Sequence, residues 1–490
     1  MREDGRSGGW RICAALGVVA VLSGCALSTP PTHTAVVDQA LPKTTAIPPA
    51  WSSVTDTSEV ANDWLAAFHD PGLDAVVFEG VANNLDLRQA ADRVEVARQN
   101  VVVVGAQLYP QIGAQIGLHG TVADKYATTA SNPNTFYGAN AEYIGVYWEL
   151  DLWGRLRAQR AAAEATYQAT ALDYSFARQS LAATVAKSWY LAIETRQLLA
   201  LAEQSVQIYT QLLALVTVRR AAGKVADLDV AEARANLSTA EATLRAAQGQ
   251  YSETRRTLEL LLGRYPAAEL AVAPVFPPVP PPVPAGLPSA LLERRPDLVA
   301  AERQVLAAFR VEEAAKLALW PSFAVSLDGG HLSDGLTSLL RINPWLLHGT
   351  IGMSVPIYMG GALTAQIAIA TAQQAQAIAR YGSGILRAFY EVEVALTNEV
   401  LLAQRLQIEE QGLTDRTEAV RIAKVRYVAG SIDMLSVLQL QERQLNSQAS
   451  VIQLRNALLA NRINLHLALG GSFDAAPAVP SMGAAASIGP

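Results

Sequence analysis

The chain predicts a membrane α+β protein: a trimeric outer-membrane β-barrel with four strands per chain, continued by a long periplasmic α-helical barrel and encoded as an internal tandem duplication. Three observations predict it. A lipoprotein-type signal opens the chain, two halves repeat at one constant offset, and each half joins a pair of amphipathic strands to proline-free helical spans far longer than a globular core uses.

Arg2, Arg6 and Arg11 form a basic leader, and Ile12 to Leu22 is an apolar run too short to cross a bilayer as a helix. It ends in Leu22-Ser23-Gly24-Cys25, the pattern of a bacterial lipobox. That chemistry needs Cys25 because its thiol takes a diacylglyceryl group before cleavage exposes its amine. Two or more acyl chains anchor stably, each buried CH₂ contributing about 0.8 kcal/mol. The competing reading is an ordinary signal peptide with a chance cysteine. Residues 1–24, Cys13 included, are expected to be removed. Ala26 stands where an aspartate would retain a lipoprotein at the inner membrane, so by analogy with lipoprotein sorting the outer membrane is expected. Residues 25–60, Pro/Thr/Ala-rich to about Ala50, read as an extended lipidated linker.

Composition narrows the functions. A net charge of -6 over 490 residues leaves no clustered basic surface for a nucleic acid. Both cysteines fall at the N-terminus, so the body has no disulfide framework or thiolate metal site. The six histidines are scattered, with no pair at helical spacing. With no nucleophile–base pairing, phosphate loop or metal spacing, no cofactor, metal or enzymatic activity is expected.

The repeat decides the architecture. Ile144 to Gln159 matches Ile351 to Gln366, and the same offset of 207 aligns Val218-Arg219 to Gly223 with Val425-Arg426 to Gly430, and Leu261-Leu262-Gly263 with Ala468-Leu469-Gly470. The first repeat is set at 61–265 and the second at 291–472, with a Pro-rich strap at 266–290 and a disordered tail at 473–490. In the strands, Ile112, Ala114, Ile116 and Leu118 oppose Gln111, Gly113, Gln115 and Gly117. Phe323, Val325 and Leu327 oppose Ser322, Ala324, Ser326 and Asp328; Ile351, Met353, Val355 and Ile357 oppose Thr350, Gly352, Ser354 and Pro356. Ile144, Val146 and Trp148 share an apolar face by correspondence. Such alternation suits a lipid-facing, water-filled barrel or a half-buried soluble sheet. The lipobox, and the absence of any apolar run of transmembrane length in the mature chain, favour the barrel. Four strands cannot close, and eight-stranded barrels are filled by side chains, so three chains and twelve strands make the smallest conducting wall. Tyr137, Tyr147, Trp148, Trp320 and Trp345, near the strand ends, suit an interfacial girdle.

No proline interrupts the spans between Pro133 and Pro266 or between Pro356 and Pro477. Gly223 and Gly430 occupy matching positions beside turn-like residues and read as the bends of two long hairpins. A helix from about Leu152 to Gly223 would run roughly 100 Å at 1.5 Å per residue. Leu438, Leu445, Ile452 and Leu459 recur every seven residues, as a coiled-coil seam does. A membrane barrel continued by such helices is a tunnel.

Gly286 to Leu298, GLPSALLERRPDL, followed by Ala300-Ala301-Glu302, is very similar to the signature of the TolC/OprM-type outer-membrane efflux proteins, in the lipoprotein branch that includes NodT. Trp148 to Arg157 resembles that family's strand-to-helix corner, and Pro356 to Gly361 its second copy. Trp64 to Phe68 with Asp70-Pro71-Gly72-Leu73, then Asn83 to Leu87, resembles the family opening; Arg426-Tyr427 with Gly430 resembles its periplasmic turn. The resemblance, spanning Trp64 to Gly471, implies a homotrimeric passive duct partnered by a periplasmic adaptor (membrane fusion protein) and an inner-membrane pump of the RND type, exporting small molecules such as drugs. It also implies a gate at the helix tips that opens like an iris. Candidates beside the bends are Lys224, Asp227, Asp229 and Asp433, with Arg421 corresponding to a tip-linking arginine in the lipoprotein members; Gly223 and Gly430 mark the bends and the adaptor contact. The family pattern is departed from at Ile432, where some relatives place the acidic residue found here as Asp433. Each of these charges is otherwise an ordinary solvated helix-end residue. A protein-secretion exit and a structural coiled-coil lipoprotein are the competing functions; the lipid anchor argues against the first and the strand pairs against the second.

Overall fold

A computed structural model describes residues 27–52, 58, 60, 62–118, 140–333 and 345–474. The signal segment, Cys25 and Tyr137 lie outside these residues. Two units form, one from residues 1–42, 94–170 and 301–382, the other from 43–93, 171–300 and 383–490. The short α1 (His33–Ala40) precedes α2 (Pro71–Asn83) and α3 (Leu85–Gly105), which lead into β1 (Gln111–Leu118) and β2 (Asn140–Leu150). Then come α4 (Arg155–Ala221) and α5 (Asp227–Leu261), 67 and 35 residues long. After a strap, α6 (Leu291–Arg294) and α7 (Pro296–Leu317) lead to β3 (Ser322–Ser333) and β4 (Trp345–Ser354). Finally α8 (Ala362–Val428) and α9 (Met434–Ala468) run again for 67 and 35 residues.

In the first unit the strands form one antiparallel meander in the order β1-β2-β3-β4. Its register sorts side chains by chemistry, because directly paired residues share a face. One row reads Ile112, Val146, Leu327, Gly349; the next reads Ala114, Ile144, Gly329, Leu347. Trp148, Val325 and Ile351 form a third, and Leu150, Phe323 and Met353 a fourth. Every residue of these four rows is apolar or glycine, and the face turns polar only toward the far strand ends, where Ile116 pairs with Glu142 and Glu142 with His331. The opposite face carries Gln111, Tyr147, Ser326 and Thr350 in one row and Glu149, Ala324 and Gly352 in another. The apolar face is uncovered in the single chain: Ile112 is 75% exposed, Leu347 77% and Ile351 80%. β4 ends at Ser354, so Val355, Pro356 and Ile357 fall beyond the strand in which alternation places them; Pro356 has no amide to give a ladder.

The strand-to-helix corner explains its own motif. Asp151 accepts from the amides of Leu156 (3.1 Å) and Arg157 (2.9 Å), capping α4, while Arg155 pairs with Glu149 at 2.6 Å. Trp148 donates to the Leu108 carbonyl and Trp153 to that of Pro321; Trp153 lies 5.0 Å from the Trp320 ring. In the alanine-dense start of α4, Ala158, Ala162, Ala165 and Ala169 are buried.

In the second unit Trp64, Phe68, Leu73, Tyr190, Ile193, Leu258, Leu459 and Phe473 form the main core. Asp70 caps α2 through the amides of Gly72 and Leu73, and its other oxygen accepts from the Trp189 indole at 2.9 Å. Asn84 caps α3 and donates to the Leu261 carbonyl at 3.0 Å. Arg295, from the GLPSALLERRPDL stretch, is buried and binds Asp297 at 2.8 Å and Glu391 at 2.6 Å. The family-like motifs thus hold helix ends together. Of the heptad seam, Leu438, Ile452 and Leu459 are buried and Leu445 half-buried.

Two expectations change. The linker is no plain extended chain: Thr32 caps the helix α1, accepting from the Ala35 amide, and Trp51 is buried with its indole donating to the Ala285 carbonyl at 2.9 Å. Phe473 and Asp474, assigned to the tail, are ordered parts of the body: Phe473 belongs to the core and Asp474 pairs with Arg178; residues 475–490 lie outside the described ones.

His466 of α9 is buried, its ring stacked 6.0 Å from that of Trp64. Burial, with Arg462 nearby, pushes its pKa down to about 4. An unfolded histidine takes its proton near pH 6.5, so between there and about pH 4 the unfolded chain binds more protons and stability falls as pH drops. His466→Phe is expected to flatten that decline; unfolding followed by circular dichroism between about pH 7.5 and about pH 4.5 checks it.

Candidate functional site

Both hairpin bends close with the same chemistry. After α4, Gly223 takes φ +69°, donating to the Arg220 carbonyl, and Lys224 donates to that of Arg219 at 2.9 Å. After α8, Gly430 takes φ +77°, donating to Tyr427, and Ser431 donates to Arg426 at 2.9 Å. These are left-handed helix stops that a side chain disfavours. A Cβ at either glycine would meet nothing within 4 Å, so only the backbone resists it. Gly430→Ala is therefore expected to cost about 1–2 kcal/mol, read as a lowered unfolding midpoint.

The second unit brings the two bends together. Val216 of α4, Ala233 of α5, Ala423 and Tyr427 of α8, and Met434 and Val437 of α9 share one buried cluster. Arg219 spans the bends, donating to the Tyr427 carbonyl at 2.7 Å with its guanidinium 4.4 Å from the Tyr427 ring centre. Sequence reasoning missed this bridge. Its one signal is a break in the repeat, where Arg220 of the first half faces Tyr427 of the second at the 207-residue offset.

The charged candidates sit around this cluster in helix-end roles. Asp227 pairs with Arg220 across the first bend, both exposed. Asp229 accepts from the Ala226 amide at 3.0 Å, one half of a capping box. Asp433 is the N-cap of α9 and accepts from the Ser436 amide at 2.8 Å; bonds from Ser436 hold its pKa below the ordinary carboxylate value. Lys224 is exposed. Arg421 is exposed and pairs with Glu418 on its own helix at 2.7 Å. Within one chain, then, Asp227, Asp229 and Asp433 shape the bends, whereas Arg421 engages Glu418 of its own helix. Among the described residues no three His, Cys, Asp or Glu side chains form a metal cluster, and no helix is long and apolar enough to cross a membrane.

Comparison with known proteins gives these features a context. The model of the family described as outer membrane efflux protein matches twice, over residues 79–264 and 287–471. The pyoverdine export outer membrane protein OpmQ of Pseudomonas putida is 29% identical over 468 residues, 93% of this chain and 96% of its own length. The toluene efflux pump outer membrane protein TtgC of Pseudomonas putida is 29% identical over 458 residues, 92% of this chain and 94% of its own. Among solved structures, one of CusC superposes with a TM-score of 0.78 at 25% identity, covering 91% of this chain and 100% of that one.

Proposed function

The chain belongs to the outer membrane efflux protein family, and from that membership we propose that it is the outer-membrane duct of a tripartite efflux system, a passive trimer exporting small molecules handed over by an inner-membrane pump and a periplasmic adaptor. The observation that carries the reading is the two-faced sheet with two open edges. In hydrocarbon each unpaired amide costs several kcal/mol, so β1 of one copy needs β4 of the next. An even strand number lets that closure stay antiparallel, and three copies give twelve strands around a polar lumen. Equal helix lengths in the two halves, and one family model matching twice, support tandem duplication.

Cys25 is the lipidation site in this reading. The paired bends around Gly223 and Gly430 form the closing end and the adaptor's contact. Opening is an iris-like shift of the hairpins, a two-state element biased by a partner with differential affinity. Asp227, Asp229, Lys224, Asp433 and Arg421 are the charges available to latch it between copies. Arg421→Ala and Asp433→Ala are each expected to raise the passive conductance of the protein in a planar bilayer; unchanged conductance would remove them as gates. The export role itself is tested by deleting the gene and measuring intracellular accumulation of dyes, antibiotics, metal ions and siderophores. Accumulation that rises and is restored by the intact gene supports efflux and identifies the cargo. An unchanged panel with altered secreted proteins supports a secretion exit.

A further inference from the structure

The residues just after the lipidation cysteine are gripped by a built seat. Arg310 and Glu313, one turn apart on α7, pair at 2.6 Å with side chains only 11% and 12% exposed. Glu313 accepts both the amide and the hydroxyl of Ser28, each at 2.6 Å. Arg310 donates to the Ser28 carbonyl at 2.9 Å. One ion pair therefore engages every polar group of Ser28. Leu27 lies in the corner where β2 turns into α4, its Cδ2 in van der Waals reach of the space above Gly154. Beyond Ser28, His33 approaches Glu302 at 3.0 Å, and the Ala40 carbonyl lies where Gly382 leaves no room for a side chain.

We propose that the Arg310–Glu313 pair is a seat for the N-terminal segment and sets where the lipid anchor enters the membrane, an inference that rests on lipidation at Cys25. Only Ala26 lies between Cys25 and Leu27, so two chain steps give a reach of at most about 7 Å. The acylated cysteine is thereby delivered to the corner bearing Trp153 and Trp320, beside the apolar row Trp148, Val325 and Ile351. A free linker of about twenty-five residues would instead let the acyl chains wander roughly 25–30 Å. Burial raises the Glu313 pKa, but the bonds from Ser28 and Arg310 outweigh it and hold the carboxyl below its ordinary value, so the seat stays charged at neutral pH.

Hydrogen exchange of the segment 27–40 in the intact, membrane-assembled protein tests this, with acylation of Cys25 checked by mass spectrometry. Ser28→Pro removes the amide and hydroxyl donors without touching the body, and Glu313→Ala empties the seat. Both are expected to speed exchange of the segment at least about tenfold while acylation persists, because local opening then no longer breaks charge-assisted bonds. Inserting four Gly/Ser residues between Ala26 and Leu27 is expected to leave exchange of 28–40 slow while lowering the temperature at which the assembled oligomer dissociates. Acylated variants with unchanged exchange would overturn the seat. Slow exchange with an unaltered dissociation temperature in the insertion variant would overturn its role in placing the anchor. An unacylated wild-type Cys25 would instead overturn the lipidation reading on which the proposal rests.

Discussion

Replacing Arg462 by Leu is expected to cost about 3–5 kcal/mol, the largest loss of stability foreseen for any single side chain of α9. Arg462 and Glu399 face each other at 2.7 Å with 6% and 11% of their side chains exposed. Asn461 donates to the Ala395 carbonyl at 2.9 Å and approaches Glu399, so the carboxylate is bonded on both oxygens. Removing the guanidinium leaves a carboxylate in a nearly dry site with only an amide partner. The penalty is that of stranding the charge, not the net worth of the pair, which burial has already offset. The double variant Glu399→Met with Arg462→Leu is accordingly expected to lie close to the wild type or above it. Denaturant unfolding of the three proteins in detergent checks both statements; a double variant as unstable as the single one would show that shape, not charge, dominates here.

Leu347→Arg is expected to abolish or sharply reduce assembly in the membrane, whereas His348→Arg, one residue along, is expected to assemble and change only conduction. Leu347 shares a row with Ile144 and Ala114 on the apolar face, and His348 pairs with Asp328 on the other. A guanidinium on the lipid side of a barrel costs about 2–4 kcal/mol at mid-depth, falling toward zero near the interfaces. Three copies carry that cost three times, comparable with the whole stability of a domain. On the polar side the same group stays hydrated. The contrast needs only outer-membrane fractionation and a heat-dissociation gel, and equal effects at 347 and 348 would refute the facing of the sheet.

Much of this architecture is legible in the residues because it rests on local periodicity. The strand faces follow from alternation, which the register then extends across all four strands. The bends follow from Gly223 and Gly430, because a left-handed helix stop has few other solutions. What stayed hidden depends on contacts distant in sequence. Apart from the break in the repeat at Arg220, nothing near Arg219 announces that it reaches Tyr427, 208 residues away. The helix α1 escapes a compositional reading because Pro and Thr around it read as linker, although Thr32 is a good N-cap. Glu259 looks like a solvated helix charge, yet it is buried and gathers the amides of Ala268, Glu269 and Leu270, turning the chain into the strap. Asp433 reads as a pore charge from family analogy and serves within the chain as a helix cap, a role set by the local Asp-to-Ser436 spacing.

The proposed barrel wall is shared between chains, and counting the chains in the assembled particle tests it most directly. Native mass spectrometry of the protein extracted from outer membranes should give three chains per particle, with β1 and β4 amides protected from exchange. A stable folded monomer, or a particle whose chain number cannot close twelve strands, would contradict it.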